Sequence, residues 1–187
     1  HLLCVSVYYL IGVHMTQNVM VDVESDGPCP GMHSMICFGA VIVEAGLQRT
    51  FYAKLKPISN IYIPEALAIS GFTRDDCMKF PEPRDAMQNF EIWLQNNIPG
   101  KRPIFWSDNN GYDFAFMNYY FWQQLGRNPF GWSSSNLGSF YKGLNKDLYS
   151  TFKHLRVTKH THDPVDDAKG NAEALLKMFG MMKNGRA

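Results

Sequence analysis

The chain has 187 residues, and its 18 lysines and arginines against 17 aspartates and glutamates give a formal net charge of +1. This balance excludes a polybasic protein that holds nucleic acid mainly by releasing counterions, although it allows an enzyme that contacts only a few phosphates. Hydrophobic residues make up 45% of the chain, which is the composition of a folded domain and not of a disordered one.

The first fourteen residues differ from the rest because they contain no Lys, Arg, Asp or Glu. Neither the positive start nor the small-residue cleavage site of a signal peptide is visible there. We interpret residues 1–14 as an upstream or added extension, with an extra edge strand as the alternative, and residues 15–187 as a single domain. Four cysteines without a C-x-x-C spacing indicate a reduced, cytoplasmic protein, and no apolar run reaches the length of a membrane span.

Three strands are predicted in the first third of the chain. Residues 18–24 and 34–44 are apolar and rich in β-branched side chains, and residues 49–56 alternate between apolar and polar. Glycine and proline between residues 25 and 31 mark the first turn. Because the connections are short, the three strands are expected to pair antiparallel.

Helices dominate the remainder. The spacing of apolar residues predicts helices at 63–70, 83–97, 112–125 and 164–182. Residues 102–107 form a further predicted strand, and residues 133–157, which lack a clear period, are interpreted as mostly helical. Three strands followed by helix–strand–helix units predict an α/β domain with a mixed sheet.

Two acidic residues end the first predicted strand. Asp22 and Glu24 are two positions apart, so strand periodicity places both carboxylates on one face. Such a pair in an apolar segment is unfavourable unless water or a cation compensates the charge. The alternative is that the strand has already ended and that both side chains are solvated in a turn.

Two later segments place carboxylates at helix starts. Asp113 follows a strand and a polar turn, and the helix macrodipole alone explains an acid there. Pro164 suits the first position of the last helix, which makes Asp163 its N-cap. Asp167 has no capping role, and it can face one cleft together with His162.

Taken together, these residues predict a metal-dependent hydrolase. Carboxylates in this number suit Mg²⁺ or Mn²⁺ better than Zn²⁺. A histidine that titrates near neutral pH can deprotonate an attacking water. These are the groups that two-metal hydrolysis of a phosphodiester requires.

In these motifs the sequence resembles the DEDDh 3′–5′ exonucleases, the superfamily of proofreading polymerase subunits, ribonuclease T and oligoribonuclease. Residues 22–24 match the Asp-x-Glu motif, residues 108–113 resemble the His-Asn-x-x-Phe-Asp motif, and residues 162–167 match His-x-x-x-x-Asp. The segment 64–73 is similar to the stretch that leads to the substrate cleft in that family. The resemblance covers residues 18–182, and it implies that the domain is a single DEDDh exonuclease domain.

The resemblance implies a ribonuclease H-like fold, a five-stranded mixed sheet flanked by helices, whose fifth strand would lie near residues 149–157. It implies one metal ion bridged by Asp22, Glu24 and Asp167. A second ion, bound by Asp22 and Asp113, would lie roughly 3.5–4 Å from the first. His162 would be the general base, and the product would be a 5′-mononucleotide released from the 3′ end of a single strand.

The sequence also departs from the family pattern. Ser25-Asp26-Gly27 stands where the family often has Thr-Thr-Gly, and Asp108 replaces the histidine of the second motif. Asp26 would add negative charge where a phosphate or sugar approaches. The candidate substrate-contacting residues are Ser25, Asp26, Gly27, Met35, Phe72 and Asn109.

Other features are open to more than one interpretation. Lys153, Arg156 and Lys159 could follow a phosphate backbone or form a solvated loop. His160 is expected at the surface or in packing, not as a metal ligand. The aromatic residues of helix 112–125 are assigned mainly to the core, although base stacking is the alternative.

The length of the chain bears on the choice of substrate. A stand-alone chain without a polymerase-binding tail favours RNA slightly over single-stranded DNA. The alternative function is a catalytically weak nucleic-acid-binding module on the same fold. A homodimer is a further expectation from the resemblance.

Overall fold

In the computed structural model, which describes residues 16–184, one five-stranded mixed sheet forms the centre. Its strands are β1 (Thr16–Ser25), β2 (Met35–Ile42), β3 (Thr50–Lys54), β4 (Arg102–Ser107) and β5 (Ser134–Asn136). The order across the sheet is β3-β2-β1-β4-β5. β1 pairs antiparallel with β2 and parallel with β4, so it is the central strand and the one at which the strand direction changes.

Six helices and one 3₁₀ turn surround the sheet in the described part of the chain. The helices are α1 (Pro64–Ile69), α2 (Arg74–Cys77), α3 (Pro83–Asn97), α4 (Asn110–Leu125), α5 (Leu137–Asn145) and α6 (Pro164–Asn184), and the 3₁₀ turn is Lys153–Leu155. Among these helices, none combines the length and the apolar character needed to cross a membrane.

The sheet separates two apolar cores. Val19, Val21 and Val23 of β1 pack with α3 and α4 on one face. Met20, on the opposite face, packs with α5 and α6. Because side chains alternate along a strand, Asp22 lies on the same face as Met20 and hence beneath α6.

Gly39 of β2 allows α6 to approach the sheet closely. A Cβ at this position would lie 2.4 Å from the backbone of Pro164 and Val165, a separation that real Cβ atoms do not reach. The start of α6 therefore rests directly on the sheet, where a larger residue would keep it away.

The predicted α/β fold with a five-stranded mixed sheet is confirmed, but the predicted position of the fifth strand is wrong. That strand is Ser134–Asn136, whereas residues 149–157 contain the 3₁₀ turn and irregular backbone. β5 has only three polar residues and is defined by its parallel pairing with β4. The interpretation of residues 1–14 lies outside the described residues.

Candidate active site

Three carboxylates converge at the end of the central strand. Asp22 and Glu24 extend from the same face of β1, and Asp167 lies in the first turn of α6. A carboxylate oxygen from each of the three lies within 4.8 Å of the other two. A β-bulge follows directly, between Glu24 and Ser25, and interrupts the ladder with β2.

Asp113 approaches the same strand from the opposite face. It lies in the first turn of α4 and is buried. Its Oδ1 accepts a hydrogen bond of 3.2 Å from the backbone N–H of Val23. This bond fixes the Asp113 side chain against the strand segment that carries Asp22.

Asp167 is completely buried and held by several donors. Arg156, itself only 7% exposed along its side chain, donates from Nη2 to Oδ1 of Asp167 at 2.8 Å. The backbone N–H of Thr161 donates to the same oxygen, and that of His162 donates to Oδ2 at 3.0 Å. The guanidinium and these two amides orient the carboxylate toward β1.

His162 lies on the solvent side of the carboxylates. Its Nδ1 is 3.8 Å from Oε1 of Glu24, and about half of its side chain is exposed. Its φ of 61° is in the left-handed region, which a non-glycine residue adopts infrequently. The loop that precedes α6 thus turns sharply at the histidine and directs the chain into the helix.

His160 also reaches this site, which sequence reasoning did not anticipate. The side chain is exposed, as expected, yet its Nδ1 lies 2.8 Å from Oδ1 of Asp167. The centroids of the His160 and His162 rings are 4.3 Å apart. The only sequence signal for this contact was the His-x-His spacing.

The electrostatics of the cluster favour a bound cation. Burial, followed by the charges of Asp113 and Glu24, raises the pKa of Asp22 well above its usual range. Burial and the neighbouring Asp167 raise the pKa of Glu24 to about 7, and burial also raises that of Asp113. Because ionised carboxylates so placed repel each other, a hard divalent cation fits this all-oxygen donor set.

Two of the predicted substrate-contacting residues have fully buried side chains. Asp26 is fully buried, where Oδ2 accepts from Arg74 Nη1 at 2.7 Å and Oδ1 accepts from the Ser34 backbone N–H at 2.5 Å. Its charge therefore supports the loop after β1. Met35 is also fully buried, in the core beside α4. The substrate contacts of both residues stay predictions.

The four other candidates are Ser25, Gly27, Phe72 and Asn109. The Ser25 hydroxyl lies 2.6 Å from the Tyr112 hydroxyl and donates to the Gly27 carbonyl, which connects β1 to α4. Phe72 is half-buried and packs edge-on against Phe80. These residues, together with the exposed Asn109 at the N-cap of α4, stay predictions.

Two of the three basic residues that precede α6, Lys153, Arg156 and Lys159, form ion pairs within the chain. Lys153 forms an ion pair with Asp108, the residue that replaces the histidine of the second motif. Arg156 pairs with Asp167, as described above. Lys159 is exposed, so it is the member of the run best placed to meet a phosphate.

The sheet order, the flanking helices and the carboxylates on the central strand define a ribonuclease H-like nuclease fold. The nuclease domain of 3′hExo, described as a DEDDh family member bound to rAMP, superposes with a TM-score of 0.71 at 18% identity, covering 88% of this chain and 92% of that one. Cell-death related nuclease 4 (CRN-4) superposes with a TM-score of 0.72 at 15% identity, covering 90% of this chain and 66% of that one.

The sequence comparisons specify the family. The sequence model of the RNase T exonuclease family matches residues 19–175. The 3′-5′ DNA exonuclease Cap18 of Escherichia coli is 33% identical over 165 residues, which are 83% of this chain and 87% of the relative. The chain belongs to this exonuclease family and is a 3′–5′ exonuclease.

Proposed function

We propose that the chain hydrolyses phosphodiester bonds at the 3′ end of single-stranded nucleic acid and releases 5′-mononucleotides, with two Mg²⁺ or Mn²⁺ ions as cofactors. The observation that carries this proposal is the convergence of Asp22, Glu24 and Asp167, whose carboxylate oxygens lie within 4.8 Å of one another. A partly buried acidic cluster of this kind is unfavourable without a cation.

The donor set supports an assignment of each carboxylate. Asp22, Glu24 and Asp167 would hold one ion, and Asp22 with Asp113 would hold the second. Oxygen ligands alone favour Mg²⁺ or Mn²⁺. Two such ions, when bound, generate a nucleophile at neutral pH and neutralise charge on the attacking and leaving oxygens.

The remaining side chains orient these groups and move the proton. Arg156 holds Asp167 in place through its 2.8 Å bond, and the Val23 N–H does the same for Asp113. His162 is the proposed general base, because its half-exposed ring borders the carboxylates on the side from which water enters. It would accept the proton of the attacking water as the new P–O bond forms.

The proposal is tested with an oligonucleotide labelled at its 5′ end. We expect a ladder that shortens from the 3′ end, release of 5′-mononucleotides, and complete loss of both in a chelator. Asp22→Asn should abolish the ladder, whereas Asp85→Asn, which changes an exposed acid on α3 on the other face of the sheet, should not. Binding of the oligonucleotide without release would instead support the catalytically weak binding module.

RNA and single-stranded DNA are both candidate substrates. The sequence-based preference for RNA stays a prediction, and DNA is favoured by the relative that is named a DNA exonuclease. Degradation rates on RNA, single-stranded DNA and duplex DNA, measured side by side with Mg²⁺ or Mn²⁺, decide between them. Equal rates on all three would contradict a preference for RNA.

The cytoplasmic location and the homodimer also stay predictions.

A further inference from the structure

A second group of potential metal ligands shares one residue with the carboxylate cluster. One donor atom from each of His160, His162 and Asp167 lies within 4.8 Å of the other two. His160 Nδ1 is 2.8 Å from Asp167 Oδ1, and the two imidazole rings are 4.3 Å apart at an angle of 70°. Nothing in the proposed phosphodiester hydrolysis uses His160.

The chemistry of this second group differs from that of the first. Two imidazoles and one carboxylate form a donor set that suits Zn²⁺, whereas the first cluster offers oxygen alone. About half of each histidine side chain is exposed, so an ion can enter from solvent and the rings can turn. In a tetrahedral zinc site, ligand atoms about 2.0–2.2 Å from the metal lie roughly 3.3 Å apart. The His160–Asp167 separation would need to widen by only about half an ångström to admit the ion.

We propose that His160, His162 and Asp167 form a Zn²⁺ site whose occupancy inhibits the enzyme. Zinc bound there would coordinate Asp167, so that this residue could not complete the carboxylate cluster. It would also coordinate His162, so that the imidazole could not accept a proton. The inhibitory consequence rests on the function proposed above, whereas the binding of zinc does not.

The groups around this site weaken zinc binding, so we expect the zinc ion to dissociate readily. Arg156 Nη2 donates to the same Asp167 oxygen that faces His160, so the guanidinium and the zinc ion compete for its lone pairs. Among the described residues this group offers three protein ligands, which leaves a position for water or for a phosphate oxygen of the substrate. We therefore expect binding weaker than in a structural zinc site with four protein ligands.

The first experiment measures zinc binding without reference to catalysis. The full chain is titrated with Zn²⁺ alone in competition with a chromophoric chelator. His160→Gln should weaken zinc binding at least tenfold, and the control His154→Gln, which removes an equally exposed histidine beside Tyr141, should leave it within about threefold. The double variant Asp22→Asn/Glu24→Gln should retain zinc binding, because it removes only the carboxylates of β1.

Two outcomes of this titration would overturn the proposal. One is equal zinc affinity in the wild-type chain and in His160→Gln. The other is loss of zinc binding in the double variant together with its retention in His160→Gln, which would place the ion among the carboxylates.

The second experiment measures inhibition at a fixed Mg²⁺ concentration. The zinc concentration that halves the rate of each variant, relative to that variant's own zinc-free rate, should rise at least tenfold in His160→Gln. An unchanged value in that variant would contradict inhibition through this site. If the chain released no nucleotides under any condition, the proposed function would fail while the titration would still decide on the zinc site.

Discussion

Gly39 faces Asp22 across the antiparallel ladder of β1 and β2, at the point where α6 begins over the sheet. The space for a side chain on Gly39 is taken by the backbone of Pro164 and Val165. Asp167 follows two residues after Val165 on the same helix, so the distance between α6 and the sheet determines how closely Asp167 approaches Asp22.

Gly39→Ala should therefore disturb the site although Gly39 carries no functional group. The added methyl must displace α6, at a cost of about 1–3 kcal/mol of folding free energy. A displacement of about 1 Å at the site could lower the rate roughly a hundredfold. The measurements are the unfolding temperature and the rate of nucleotide release.

The control for this variant is Gly180→Ala, which makes the same change on the same helix. Gly180 is exposed and has open space around it. We expect a gain of about 0.5–1 kcal/mol, because alanine favours the helix, and an unchanged rate. A normal rate in Gly39→Ala would contradict the role assigned to the close contact.

Asp113→Asn should lower the activity without lowering the stability of the fold. Burial and the Asp113 charge both raise the pKa of Asp22, so removing that charge relieves repulsion in the metal-free chain. We expect an unfolding temperature in chelator that is equal to or higher than that of the wild type. Nucleotide release should fall by more than about a hundredfold, beyond the loss typical of residues that only support a metal ligand. Full activity in this variant would refute the assignment of Asp113 to a metal ion.

Divalent cations should stabilise the fold through the carboxylate cluster. A ligand at a hundred times its dissociation constant stabilises the folded state by about 2.7 kcal/mol. For a chain of this length that corresponds to a rise of roughly 5–10 °C in unfolding temperature. Thermal unfolding with Mg²⁺ and with NaCl of equal ionic strength provides the measurement. The same rise in Asp22→Asn would show that the ion binds elsewhere.

Asp26→Asn should act on stability and not on substrate binding. Asp26 is fully buried and its ion pair with Arg74 is largely shielded from solvent. Breaking a buried pair from one side costs about 3–5 kcal/mol, since the remaining charge loses its partner. Chemical denaturation should show this loss, while KM for an oligonucleotide, measured well below the unfolding temperature, should change little. A large rise in KM at unchanged stability would restore Asp26 as a substrate contact.

The parts of the fold that sequence predicted are those with a strong local pattern. β1, with its apolar run and closing acids, and α6, with Pro164 at its first position, both follow from local chemistry. β5 could not be found in this way, because Ser134–Asn136 has little strand propensity and its pairing is decided by the exposed edge of β4.

Contacts between distant residues explain what the sequence could not show. The burial of Asp26 could not be predicted, because its partner Arg74 lies 48 residues away in sequence. His160 was assigned to the surface, since nothing in the sequence shows that the left-handed turn at His162 brings both histidines to Asp167. The burial of Met35 likewise depends on packing against residues distant in sequence, in the core beside α4.

The elements that carry the four carboxylates emerge from the ribosome at very different times. Asp22 is on the first described strand, whereas Asp167 is on the last described helix. On the proposed assignment, a nascent chain lacks a complete set of metal ligands until α6 has been synthesised and has docked over Gly39. On that assignment, nuclease activity would begin only after nearly all of the described fold has been made.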